Sequence, residues 1–140
     1  MMDKKWIFAM GIALCCQLSM AETCPTIDEI KHKTLTEWKA FDSDDGSPLP
    51  PKRVAQFKAH AEQFALAEWA QGTNQKGAVH CYYRDKNGSD LEAYLAKDNY
   101  RLKNSKNYWY EVSGFMHCAA GMTECEFENS GAPHTELAKK

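Results

Sequence analysis

The sequence reads as an α+β domain, a short N-terminal helix with a small antiparallel β-sheet, stabilised by disulfides. Three observations predict this. Cys24-Pro25-Thr26-Ile27-Asp28-Glu29-Ile30 has the form of a helix start. Apolar and polar residues alternate on both sides of an Asn87-Gly88 turn. Four cysteines, an even number, follow residue 21.

The first segment is a leader. Lys4 and Lys5 precede an apolar run over residues 6–14. That is the length of a signal-peptide core and too short to span a bilayer. Ser19 and Ala21 put small side chains at the −3 and −1 positions of a cleavage site after Ala21. Residues 1–21 are therefore expected to be a signal peptide, 22–128 one α+β domain, and 129–140 a flexible polar tail. A lipoprotein anchor is the poorer fit, because a lipidated cysteine follows a small residue, whereas Leu14 precedes Cys15 and Cys15 precedes Cys16. Cleavage places the protein in the periplasm or outside the cell, with no stable membrane anchor.

Cleavage removes Lys4, Lys5 and Asp3. Totals of 17 Lys+Arg and 19 Asp+Glu become 15 and 18, a formal charge of −3. A mildly acidic chain with no basic block is a poor ligand for nucleic acid or an anionic membrane. No repeat and no low-complexity tract occurs.

Cleavage also removes Cys15 and Cys16 and leaves Cys24, Cys81, Cys118 and Cys125. In an exported chain these read as disulfides, each stabilising the domain by a few kcal/mol. Four cysteines allow three pairings. Cys118 with Cys125 closes a short loop and leaves Cys24 to pin the N-terminus to Cys81. The rival joins Cys81 to Cys118 across neighbouring strands and Cys24 to Cys125. The sequence does not choose between them, though the short loop favours the first.

Along the domain, Pro25 or Thr26 begins the helix, Asp28 and Glu29 suit its positive end, and Ile27 with Ile30 forms its apolar stripe. It ends near Lys33. Residues 34–41 are strand-like, with Thr34, Thr36 and Trp38 on one side. Residues 42–51 hold three prolines and a glycine and form a loop. Residues 52–71 carry two readings. Val54, Phe57, Ala61 and Phe64 have helical spacing, while 64–69 also reads as a core strand. In 77–97, Val79, Cys81 and Tyr83 alternate with His80, Tyr82 and Arg84. Residues 85–88 turn the chain, Asn87 and Gly88 both tolerating positive φ, and Leu91, Ala93 and Leu95 return. A second strand is expected over 108–118, with Tyr108, Tyr110, Val112, Gly114 and Met116 on one face. A short last strand is expected at 125–127.

Several of these features resemble a family of small exported proteins of Gram-negative bacteria known only as a domain of unknown function. The matching residues are Cys24-Pro25 with Ile27 and Ile30, Phe64 to Trp69 leading into Val79-His80-Cys81-Tyr82-Tyr83, the Asn87-Gly88 hairpin, Tyr108-Trp109, and Cys118 with Cys125-Glu126-Phe127. The resemblance implies one helix packed on an antiparallel sheet and tips 64–69 towards strand. It implies no activity.

Residues with chemical potential are few. His80-Cys81 and His117-Cys118 are zinc-type ligands. Adjacent strand residues point to opposite faces, so neither pair chelates one ion, although His80 and His117 could meet across the sheet. A Cys/His nucleophile needs a free thiolate, which disulfide formation removes. No nucleophile elbow, zinc-protease helix or phosphate-binding glycine loop occurs. Asp42, Asp44, Asp45 and Gly46 lack the spacing and closing Glu of a calcium loop. No metal, cofactor or catalytic residue is therefore assigned. The remaining signal is aromatic: Tyr82, Tyr94 and Trp109, with Tyr108 and Tyr110, supply a candidate binding face, weighed against ordinary sheet packing. The expected function is a non-catalytic interaction module whose partner is a protein or other macromolecule in the envelope or outside the cell. The alternative is a periplasmic inhibitor of cell-wall lysozymes. Cys81-Tyr82-Tyr83 and a polar turn resemble such inhibitors, while Val112-Ser113-Gly114-Phe115 is a meagre match to their Ser-Gly-rich inserting loop.

Overall fold

The computed structural model describes residues 21–71, 77–102 and 107–129. The expected leader up to Met20, the lipidation candidates Cys15 and Cys16, and the tail beyond Asn129 lie outside the described residues.

Helix α1, Ile27–His32, opens with a capping box at Thr26. The Thr26 hydroxyl accepts from Glu29 N at 3.0 Å, and Glu29 Oε1 accepts from Thr26 N at 2.9 Å. Ile30 is its fully buried residue. Strand β1, Lys39–Asp42, starts later than the alternation predicts. Residues 34–38 instead turn, with Trp38 N donating to Leu35 O at 3.4 Å. Pairing with the neighbouring strand ends at Lys39↔Ala96. Beyond it that strand bulges at Asn99, whose φ is +69°, so residues 34–38 find no partner there. Trp38 packs instead on Tyr100 and Phe127, at ring distances of 6.4 and 6.3 Å.

The two readings of 52–71 both hold, in succession. Helix α2, Pro51–His60, has proline at its first position, where a missing N–H costs nothing. It buries Phe57 edge-on against Tyr83 at 5.9 Å. Extended backbone at Ala61 ends it, and β2, Gln63–Gln71, follows. Strands β3, Gly77–Arg84, and β4, Asp90–Leu102, form the expected hairpin. Only Gly88 of the turn takes positive φ, at +81°. Asp85 Oδ1 accepts from Asn87 N and Ser89 N, both at 2.9 Å, and this lengthens the loop beyond a two-residue turn.

The expected single strand over 108–118 is instead a tight hairpin, β5 (Tyr110–Val112) and β6 (Phe115–Cys118). Ser113 and Gly114 both have positive φ, +51° and +88°, as a two-residue turn between twisted strands requires. After a 3₁₀ turn at Met122–Glu124, β7, Phe127–Asn129, pairs with the far end of β4. It also bridges Glu22 near the N-terminus.

Seven antiparallel strands and two helices are present among the described residues, in the order β1-β4-β3-β2-β6-β5 with β7 against β4. The protein is thus more sheet-dominated than one helix on a small sheet. Core residues lie on one face: Ala67, Trp69, Val79, Cys81, Tyr83, Ala93 and Leu95 from the central strands, with Ile30 and Phe57 from the helices. Disulfides join Cys24 to Cys81 and Cys118 to Cys125, so the first pairing is the one present. No described helix is long and apolar enough to cross a membrane.

Candidate functional site

Strand alternation sends every second residue to the outer face. Register then aligns one residue from each of six strands: Lys39↔Ala96, Ala96↔His80, His80↔Glu68, Glu68↔His117 and His117↔Tyr110. This ladder crosses the sheet from β1 to β5. A parallel row places Phe41↔Tyr94 and Tyr94↔Tyr82 beside it.

Glu68 is the hub. It sits on the central strand β2 between two histidines. Its Oε1 lies 3.2 Å from His80 Nδ1 and its Oε2 lies 3.0 Å from His117 Nε2. An ionised carboxylate only accepts, so those two ring nitrogens carry the protons and donate. The Tyr82 hydroxyl also donates to Oε1, at 3.3 Å. The hydrogen bond from His80 holds the Glu68 carboxyl below the usual range; burial opposes this, and His117 adds to the lowering. Burial, with the Glu68 charge second, pushes the Tyr82 phenol well above its ordinary value. Aromatic rings extend the cluster: Tyr94 lies 4.6 Å from His80, 5.2 Å from Tyr82 and 5.8 Å from Phe41, and Tyr110 lies 6.2 Å from His117.

Beyond His117 the ladder runs onto the β5–β6 hairpin, whose character differs. Tyr108, Tyr110, Val112 and Phe115 are the large hydrophobic residues left exposed among the described residues, at 38–52%. All four lie within one eight-residue stretch. Strand β5 ends the strand order opposite β1, with no described strand beyond it, and its three residues are all exposed.

Of the three residues expected to form a binding face, Tyr82 and Tyr94 share the outer face. Trp109 does not join them. It is 8% exposed and its indole N–H donates to Glu126 O at 3.2 Å within the core. Trp109 lies just before β5, and its buried indole ties the chain there to the Glu126 carbonyl. The histidines meet through Glu68, a residue the sequence reading missed. Its signal was present: it is the lone charge in Phe64-Ala65-Leu66-Ala67-Glu68-Trp69.

All four described cysteines are oxidised, so none offers a thiolate. Among the described residues no group of three or more His, Cys, Asp or Glu side chains is arranged to hold a metal ion. The two histidines spend their facing nitrogens on Glu68. No family model, curated protein or solved structure matches this chain, so the functional reading rests on its own geometry.

Proposed function

We propose that this protein is an exported, non-catalytic binding module that meets its partner through the β5–β6 hairpin. The observation that carries the reading is the concentration of exposed apolar side chains there. Isolated exposed hydrophobics are ordinary on any protein surface. Three large ones on a single hairpin with Tyr108 just before it, at a sheet edge that no further described strand pairs, are the kind of surface a protein partner covers. Tyr108 and Tyr110 are also of a residue type enriched at binding hot spots. The outer side of β5, which no described strand pairs, adds backbone donors and acceptors for a partner strand.

The disulfides suit an exported chain, and the export signal at residues 1–21 belongs to this proposal. So does the resemblance to exported Gram-negative proteins, which supplies a compartment and no activity. The Glu68 cluster supports the non-catalytic side of the reading as a structural tie. Its carboxylate accepts from three side chains, His80 and Tyr82 on Oε1 and His117 on Oε2, and so ties β3 and β6 to β2.

The test is capture from envelope extracts by the immobilised wild-type protein and by a Phe115→Asp variant. Saturable capture lost in the variant supports the proposal; equal capture by both removes the hairpin from it. One observation favours the lysozyme-inhibitor reading as a second. Ser113-Gly114 forms the tip of the exposed hairpin, flanked by the exposed Val112 and Phe115. A lysozyme assay that stays uninhibited at large protein excess ends that reading.

A further inference from the structure

We propose that a cleft at the β1 end of the ladder binds one neutral sugar ring, a site separate from the hairpin. The ladder explains why there is a cleft. Ala96 stands between Lys39 and His80, so a methyl group is flanked by two long side chains. Ala78, next on the outer face of β3, widens the gap. The Tyr94 ring, 4.6 Å from His80 and 5.8 Å from Phe41, forms a wall. The resulting cleft has a volume of about 230 Å³. Sites for drug-sized ligands run to roughly 300–1,000 Å³, so this one accommodates a single ring.

Its lining defines the chemistry. The floor is made of alanine methyls and aromatic rings, which favour a ligand with a flat C–H face. The rim carries Lys39, Asp98 and the Glu37–Lys97 pair, whose Nζ–Oε1 distance is 2.7 Å. Positive and negative charges are equal in number there. An anion would meet Glu37 and Asp98, and a cation would meet Lys39 and Lys97, so neither is selected. A neutral ligand whose edge both donates and accepts hydrogen bonds satisfies both kinds of rim group. A pyranose has that shape: apolar faces and a hydroxyl edge. An open site for one ring implies a Kd in the millimolar range, about −4 kcal/mol at 1 mM.

The test is an amide NMR titration of the purified, disulfide-bonded protein with glucose, galactose and N-acetylglucosamine. Sodium phosphate, sodium acetate and free glycine serve as charged or zwitterionic probes. At least one sugar should shift the amides of Ala78, His80 and Ala96 and saturate. Tyr94→Ala removes the wall and Ala96→Leu fills the floor. Each should weaken binding by about tenfold or more, equivalent to ~1.4 kcal/mol. Ala96 faces outwards, so the Leu variant keeps the core intact and the test valid if the Tyr94 variant fails to fold. Three results overturn the proposal: no response to any of the sugars, saturation by an ion or by glycine in place of the sugars, or wild-type affinity in the folded Ala96→Leu variant.

Discussion

Glu68 joins three strands through its two carboxylate oxygens, which is why one side chain should matter to the whole outer face. In Glu68→Gln the side-chain amide accepts through one atom only and turns its NH₂ towards a histidine N–H. Hydrogen bonds to a charged group contribute about 1.5–3 kcal/mol each, so urea unfolding near neutral pH should show a loss of about 1–3 kcal/mol. The pH dependence has a definite sign. The folded carboxyl titrates below its ordinary value of 4.5. Its contribution is therefore complete above pH 4.5 and is lost as pH falls through the lower folded value. Wild type and Glu68→Gln should converge in stability below that pH, and a gap that stays constant into acid would contradict this role. Gly77 is another position where one atom decides. A Cβ there would collide with the Ala70 carbonyl oxygen and come within 2.8 Å of Trp69 Nε1, whose hydrogen bond to Tyr100 O is buried. Gly77→Ala should cost about 1–3 kcal/mol by overpacking, read as a lower urea midpoint at unchanged slope.

Among the elements, those set by local chemistry were legible in the sequence and those set by distant partners were not. The capping box at Thr26 and the β3–β4 hairpin are local, and both stand where the residues place them. The strand expected at 34–41 is shortened by a bulge about sixty residues downstream, at Asn99. The strand expected at 108–118 splits because Ser113 adopts positive φ, a conformation that non-glycine residues seldom take and that no alternation pattern reports. The same split decides the candidate site. It makes the hairpin that carries Tyr110, Val112 and Phe115 as exposed apolar residues. The disulfides differ by the segment each encloses, 57 residues of separation against 7. Loop-closure entropy then gives about 4 kcal/mol for Cys24–Cys81 and about 2 kcal/mol for Cys118–Cys125. Thermal unfolding of the two double Cys→Ser variants should show the larger loss for the first pair, and the reverse order would point to native-state strain or packing as the dominant effect.

At the scale of the molecule, the two sheet faces divide the work. One face holds the core, the two helices and both disulfides. The other carries the ladder from Lys39 to Tyr110 and ends on a hairpin beyond which no described strand pairs. Such a layout keeps the proposed contact residues out of the core, so replacing them should leave stability within about 0.5 kcal/mol while altering binding. Disulfide formation was readable from the cysteines, and the presence of an antiparallel sheet, though not its extent, from the alternation. Of the proposed contact surface, Tyr108 and Tyr110 were legible as aromatic candidates, whereas its place on an edge strand was not, because strand order is not written in any one segment. The most direct measurement is therefore quantitative capture of envelope proteins by wild type and by Phe115→Asp, with urea unfolding run on both. A saturable partner is expected for wild type, with binding weakened by about tenfold or more in the variant and matching unfolding curves. Equal binding by a variant of unchanged stability, or no saturable partner for wild type, would contradict the proposal.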